Sequence, residues 1–473
     1  MTINPHIFRK YDIRGVVDVD LTEAAVEEIG RALGTLARRR GARTFGLGRD
    51  CRTHSPRLRD ALARGLVSCG VEVWDLGMIP TPLLYFAVFH FDLGGGVMIT
   101  GSHNPPEFNG FKMMVGKDTL HSEDIQALRS IIERGDFEGV DAPLEIREVD
   151  VIGPYGDHVA GDIALGGWPQ GRPLKVVVDA GNGVAGFVAV PLIERLGCEV
   201  VPLYIEPDGT FPNHHPDPVE AENLHDLIAA VAAHGADLGI AYDGDGDRLG
   251  VVDELGEVIW GDKLMILFSR AVLAEAPGAT IVGEVKCSQT LYDDIRARGG
   301  VAIMGRVGHS LIKSLMKETG ALLAGEMSGH IFFKHRYFGF DDAIYSTARL
   351  LELVSLQSGP LSAALADVPQ TFATAELRQD VPDEIKFEVA ERVGLALGQD
   401  HEVVTIDGVR VIFEDGWGLV RASNTQPALI LRAEAQSAAR RDAIEALLRA
   451  RIKAAIAEME GQSLDPEAGA WKN

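Results

Sequence analysis

Short apolar runs rich in valine, isoleucine and glycine recur through the first three quarters of the chain, each closed by a polar loop and followed by a helical stretch. FGLGRD from Phe45, VEVWDLG from Val71 and GGVMITG from Gly95 read as buried strands, with TEAAVEEIGRALGTLARRRG as a helix among them. Alternation of this kind demands α/β layers, because a strand buried on both faces needs helices to cover it. A helix and a Gly/Pro connector from Asp150 to Arg172 interrupt the pattern before LKVVVDAGNG restarts a strand, so a boundary is placed near Asp150. Another unit opens after GVVDELG with the long amphipathic helical pattern VIWGDKLMILFSRAVLAE, then the strand TIVGEVKCS and a helix from Gln289. ALADVPQTF, containing Pro369, reads as the last linker.

Beyond that linker the grammar changes. VVTIDGVRVIF predicts a hairpin turning on Asp407-Gly408, a pair suited to a two-residue loop. GWGLVRAS and ALILRAEA add strands and SAARRDAIEALLRARIKAAIAEME a closing helix, which together make a small α+β unit. The expected units are residues 1–150, 151–253, 254–367 and 368–473. Three α/β units in series suggest an internal repeat, although no self-similarity is visible in the residues.

Charge narrows the partners. Asp and Glu number 69 against 45 Lys and Arg, a formal net charge of -24. Such a body repels phosphate backbones and anionic lipid, so neither nucleic acid nor a membrane surface is an expected partner. A small anionic substrate fits only where cations are concentrated in a cleft. The N-terminus lacks a signal-like apolar segment, and no apolar run is long enough to span a bilayer. Cys51, Cys69, Cys198 and Cys287 lie far apart without a CxxC pair, which points to a reducing, cytoplasmic setting.

The strongest local feature is Asp243-Gly244-Asp245-Gly246-Asp247-Arg248, between the strand-like ADLGIAY and LGVVD. Three carboxylates at alternate positions, with glycines permitting close approach, suit a hard cation such as Mg²⁺ or Ca²⁺. An EF-hand loop, whose twelfth position Glu254 would fill, is opposed by Arg248 where that turn needs glycine and by the flanking strands. Arg248 beside a metal makes sense if an anion binds there too, so the loop is read as holding Mg²⁺ against a phosphate.

Thr100-Gly101-Ser102-His103-Asn104-Pro105-Pro106, running on to Lys112, follows a buried strand and places Ser102 at its C-terminal end, where open α/β sheets build sites. G-x-S-x-G fails at Asn104, and His103 is not an obvious base because adjacent side chains tend to diverge. Arg421-Ala422-Ser423-Asn424-Thr425-Gln426 forms a donor-rich stretch suited to phosphate oxygens. Gly325-Glu326-Met327-Ser328-Gly329-His330 puts Glu326 and Ser328 on one face of an extended segment, suited to sugar hydroxyls, although taken alone a buried ion pair is the commoner explanation. Gly181-Asn182-Gly183-Val184-Ala185-Gly186 matches the dinucleotide fingerprint, but Asp179 would oppose a pyrophosphate, so it is read as a tight strand-to-helix turn.

TGSHNPPEFNGFK, DGDGDR, GEMSGH and RASNTQP, in this order and after FRKYDIRG, resemble the α-D-phosphohexomutase superfamily over nearly the whole chain. GEMSGH with SNT looks like its bacterial phosphomannomutase/phosphoglucomutase branch rather than the phosphoglucosamine mutases. The resemblance implies three related α/β domains and a C-terminal TATA-binding-protein-like α+β domain around a central cleft. It implies a phosphoserine at Ser102, also a metal ligand through its phosphate, with Asp243, Asp245 and Asp247 holding Mg²⁺. Glu326 and Ser328 would bind sugar hydroxyls, and Arg421, Ser423, Asn424 and Thr425 the substrate phosphate. Tyr11, Arg14, His103, Lys112, Arg248, Lys286, His309 and His330 would line the cleft, with no departure at any of these positions.

The expected activity is therefore a mutase moving phosphate between O6 and O1 of glucose or mannose through a hexose 1,6-bisphosphate. Lys112, His309 and His330 are the candidates for proton transfer, with Arg14 and Arg248 as catalytic cations. Ligand count alone leaves Ca²⁺ open. A phosphoglucosamine mutase, a metal-dependent serine phosphatase and a non-catalytic binding protein are the competing readings. A monomer with a hinge near Pro369 is expected, closing to keep water from the phosphoserine.

Overall fold

The computed structural model describes residues 3–141, 146–166, 171–423 and 427–460. Its first three sheets share one plan. In the first, Thr44–Arg49 lies between Glu72–Met78 and Gly95–Ile99, all parallel, and Phe108–Val115 runs antiparallel beside Gly95–Ile99. In the second, Lys175–Asp179 lies between Glu199–Leu203 and Leu238–Tyr242, with Leu249–Asp253 antiparallel beside the last. In the third, Thr280–Glu284 lies between Val301–Gly305 and Leu323–Gly325, with Ile331–Phe333 antiparallel beside the last. Counting the four strands of each unit in chain order, the spatial order is 2-1-3-4 in all three. The suggested repeat is carried by topology.

This plan places chemistry. The link from third to fourth strand is short in every unit and emerges at the C-terminal edge of the parallel strands. It carries Ser102 in the first unit, Asp243 to Arg248 in the second and Glu326 to His330 in the third. The sheets are supported by capped helices: the Thr22 hydroxyl accepts from Ala25 N at 3.2 Å, and the Asp342 carboxylate accepts from Tyr345 N at 2.8 Å.

Helix Thr81–His90, TPLLYFAVFH, is apolar all round and buried on every side through Val88. Its Leu83, Tyr85 and Phe86 join Tyr155, Val176, Ile240, Leu264 and Phe333 in a core running through all three α/β units. The helix over VIWGDKLMILFSRAVLAE begins only at Gly261, after the short strand Val258–Ile259, and is buried from Leu264 to Ser269. Lys263, Arg270 and Ala274 form its less-buried stripe, so it is amphipathic as expected, with its remaining faces in the shared core.

The last sheet is antiparallel: Phe372–Ala373 and Leu377–Asp380 pair with Ala428–Ala435, followed by Gly416–Ala422, Val409–Phe413 and Glu402–Val404. Helices Lys386–Leu397 and Ala438–Glu460 pack on it to form a separate core. The expected hairpin is present, but its last pair is Val404 with Arg410, so the connection is longer than two residues. Gly408 has φ +76° whereas Asp407 does not adopt the left-handed form that a two-residue turn needs. The Asp407 side chain is committed elsewhere, to Val307 and Arg421.

At Gly181 the tight strand-to-helix turn is as expected. Asp179 Oδ1 accepts from Gly181 N at 2.9 Å, and Pro216 and His214 pack directly in front of that glycine, where a pyrophosphate would approach.

Candidate active site

Ser102 is held by a frame that its own motif does not contain. The fully buried Arg52 guanidinium donates to the carbonyls of Ser102 at 3.1 Å, Pro105 at 2.6 Å and Phe108 at 3.1 Å. Asp50 accepts from Gly101 N at 3.1 Å and pairs with Arg52 Nε at 3.2 Å. Pinned this way, Ser102 takes φ +48°, a strained value for a residue with a β-carbon and one characteristic of functional turns. That turn brings His103 Nδ1 to 3.0 Å from Ser102 Oγ, so the two neighbours converge instead of diverging as expected. Burial, together with Arg248, Arg14 and Lys112, pushes the His103 pKa well down.

The serine and aspartate loops meet. Ser102 Oγ donates to Asp243 Oδ2 at 2.8 Å across 141 residues of chain. Asp243, Asp245 and Asp247 are wholly buried, with one carboxylate oxygen of each within 4.8 Å of the others. Asp243 Oδ1 accepts from the backbone N–H of Asp247 at 3.0 Å and of Arg248 at 3.1 Å, which curls the loop around the cluster. Burial and the two neighbouring carboxylates drive the Asp243 pKa well up. Burial acts the same way on Asp245, but the Lys112 ammonium and the hydrogen bonds from Lys112 and Thr81 together hold that carboxyl low.

Asp245 Oδ1 and Asp247 Oδ1 are buried and accept no hydrogen bond. Such oxygens are costly unless a cation faces them. Three convergent hard donors with two unsatisfied oxygens fit a divalent cation.

Cations surround this cluster. Lys112 Nζ donates to Asp245 Oδ2 at 2.7 Å and also to Asp247. Burial opposes its charge, yet Asp245 and Asp247 raise its pKa well above the ordinary value, so it is a fixed positive group. Arg14 donates to Asn104 Oδ1 at 2.5 Å and to Asp12 Oδ2 at 2.6 Å. Arg248 Nη1 reaches Asp217 at 3.3 Å, and its Nε donates to His330 Nε2 at 3.2 Å. An accepting Nε2 places the proton of neutral His330 on Nδ1. That nitrogen faces Asp341 Oδ2 at 3.2 Å. His309 stacks on His330 with ring centres 5.6 Å apart, and its Nδ1 lies 3.6 Å from the same Asp341 oxygen.

The third unit's loop is a tight turn, not the extended segment expected: Glu326 N bonds to the carbonyl of His330 at 2.9 Å, and Gly329 N to the carbonyl of Glu326 at 3.0 Å. Glu326 is buried and accepts from Gly308 N at 2.7 Å, while Ser328 is half-buried two positions on. Tyr11 Oη donates to the carbonyl of Val307 at 2.9 Å, which brings it beside the same loop. Lys286 pairs with Glu376 at 3.0 Å and Arg421 with Asp407 at 3.1 Å, where the last two domains meet. Ser423 is buried just beyond Arg421, whereas Asn424 and Thr425 lie outside the described residues.

Several residues at the site went unread in the sequence. Asp341, wholly buried, faces both histidines and accepts from Lys313 Nζ at 3.0 Å. Thr81 Oγ1 donates to Asp245 Oδ2 at 2.5 Å from the start of the buried helix. Arg52 and Asp50 shape the serine loop. Each sits in a different stretch of chain from the group it serves, and the only local signal was the charged GRDCR after a strand.

Sequence profiles describing the phosphoglucomutase/phosphomannomutase family match along the chain: α/β/α domain I over residues 5–139, domain II over 154–256, domain III over 260–372 and the C-terminal domain over 376–451. A phosphomannomutase/phosphoglucomutase of Pseudomonas aeruginosa is 50% identical over 459 residues, 96% of either chain. A phosphoglucomutase of Neisseria gonorrhoeae is 47% identical over 457 residues, 96% of this chain and 98% of the other. The crystal structure of a phosphoglucomutase/phosphomannomutase family protein from Burkholderia thailandensis superposes with a TM-score of 0.90 at 44% identity, covering 98% of this chain and 99% of that one.

Proposed function

The chain belongs to the phosphoglucomutase/phosphomannomutase family, and from that premise we propose how its residues carry out the interconversion of hexose 6-phosphate and hexose 1-phosphate. The activity is that of a hexose phosphate mutase acting on glucose or mannose phosphates; the phosphoglucosamine and phosphatase readings have less support. Ser102 is the phosphoryl carrier in this reading. The observation that carries it is the 2.8 Å contact between Ser102 Oγ and Asp243, which sets a hydroxyl and a cation-binding loop against each other in one buried centre.

Asp243, Asp245 and Asp247 would hold Mg²⁺ in this scheme, and a cation bound there would supply charge withdrawal from the transferring phosphoryl group. The protein supplies the rest. A phosphoserine and a sugar phosphate each carry roughly -1.5 to -2 charges near neutral pH. Lys112, Arg14 and Arg248 offset the first, and Lys286 with Arg421 the second, inside a chain of net charge -24.

Transfer breaks the Ser102 Oγ–P bond and forms a bond from phosphorus to the sugar oxygen, whose proton passes to a base and on to the freed Ser102 oxygen. Lys112 is locked in ionic contact with two aspartates and the accepting nitrogen of His330 is taken by Arg248, which favours the neighbouring imidazole of His309 for that proton. The hexose 1,6-bisphosphate then turns in the cleft and Ser102 recovers the other phosphate, His103 Nδ1 and Asp243 being within reach of its hydroxyl. Glu326 and Ser328 grip hydroxyls away from C2, which lets both epimers bind.

Intact mass of the purified protein is the first test, with a phosphate adduct mapping to Ser102 as the expected result. Ser102→Ala is expected to abolish formation of glucose 6-phosphate from glucose 1-phosphate. Release of inorganic phosphate with every turnover would make the enzyme a phosphatase instead.

A further inference from the structure

Arg306, Val307 and Gly308 form a crosspiece to which no motif assigned a role. Tyr11 Oη donates to the Val307 carbonyl at 2.9 Å, and Gly308 N donates to Glu326 Oε1 at 2.7 Å. On the opposite side Val307 N donates to Asp407 Oδ2 at 3.1 Å, and Arg306 Nε donates to the Ile406 carbonyl at 2.9 Å. The same Asp407 oxygen accepts from Arg421 Nε at 3.2 Å and Nη2 at 3.1 Å. First, third and last domains thus meet on three consecutive residues.

The crosspiece is tightly built. Gly308 has φ +129°, and a β-carbon there would stand 2.7 Å from the Tyr11 ring, so only glycine lets the chain pass. The Asp407 and Arg421 side chains are 15% and 5% exposed, which shields their ion pair from water and strengthens its charge-assisted bonds. An arginine anchored through Nε and one Nη is fixed in plane, so the direction of its remaining donors is set by the carboxylate.

We infer that Asp407 is a positioning residue: it orients Arg421 toward the substrate's phosphate and, through Val307 N–H, sets that arginine in register with Glu326 and Tyr11. The inference rests on the reading of Arg421 as a phosphate ligand. It gives the mutase a common gauge for two substrate ends that different domains hold. A turn-forming aspartate without this role would matter equally whether or not Arg421 were present.

The test is a double-mutant cycle on conversion of glucose 1-phosphate, using wild type, Asp407→Ala, Asp407→Asn, Arg421→Ala and Asp407→Ala/Arg421→Ala. Loss of a hydrogen bond to a charged group should lower kcat/KM about ten- to a hundredfold in Asp407→Ala, chiefly through KM. Asp407→Asn keeps the shape and an acceptor for Val307 N, so it should fold normally and lose an intermediate amount. In the Arg421→Ala background, Asp407→Ala should cost less than about threefold. Equal losses in both backgrounds, or wild-type kinetics in both Asp407 variants beside a crippled Arg421→Ala, would overturn the inference. Wild-type kinetics in Arg421→Ala would instead remove the reading beneath it.

Discussion

At the residue scale the site is an arrangement of buried charge, and its cost is met locally. Asp243, Asp245, Asp247 and Asp341 are all without solvent contact. Burial penalises each, and Lys112 and Lys313 are the nearest compensating groups. Lys313 itself shows the tension: burial lowers its pKa while Asp341 pulls it back up. Asp341→Asn would leave that ammonium buried without its anion, so a loss of about 3–5 kcal/mol in unfolding free energy is expected by urea titration. Lys313→Met added to Asp341→Asn should recover most of it, since an apolar side chain of similar volume removes the unpaired charge. If Asp341→Asn unfolds at the wild-type midpoint, the pair does not hold this region together.

At the element scale the decisive fact is that the three loops of the candidate site occupy one topological slot. Gly244 makes their meeting possible: a β-carbon on it would stand 2.4 Å from the carbonyl oxygen of Ser102. Gly244→Ala should therefore push the aspartate loop off the serine loop and lower mutase kcat by at least about tenfold, since sub-ångström misplacement is enough for that. The melting temperature should fall as well, since overpacking against a backbone oxygen costs about 1–3 kcal/mol. A variant with normal kcat would mean the two loops need not touch. The strands and helices around these loops were legible because period and apolar runs are local properties: Gln289 does begin a helix, and Ala428 to Ala435 do form a strand. Ser102, Asp243 and Glu326 were legible as short motifs. Asp341, Arg52 and Asp407 were not, because each acts on a partner in a different stretch of chain and none is marked by spacing. The hairpin at Asp407 was misjudged for the same reason, since local turn chemistry yields there to a contact between domains.

At the scale of the whole molecule the first three units share a core, and the last keeps its own. They meet through a small apolar contact of Val285, Trp417 and Leu419 and through polar links, among them Lys286 with Glu376. The connecting chain is tied to the third unit by Asp367, which pairs with Arg270 at 2.9 Å, and joins the last sheet at Phe372. Val368 still packs on the shared core, which leaves Pro369 to Thr371 as the segment able to bend, and sugar phosphate should raise its hydrogen-exchange protection; unchanged exchange would remove the hinge. Acid offers a second handle on this junction. The Lys286 ammonium beside Glu376 holds its carboxyl down at about 2, against 4.5 for the free group. A depressed carboxyl stabilises the fold fully above pH 4.5 and loses that contribution as pH falls through about 2. At 1.36 kcal/mol for each pH unit, the contribution is on the order of 3 kcal/mol. Urea titrations between pH 5 and 2 should therefore show wild type losing more stability than Glu376→Gln, which has no such carboxyl to protonate. The excess should be centred on the last domain, read through Trp417, which is buried at this junction. Parallel acid curves for the two proteins would mean that this ion pair does not hold the last domain to the rest.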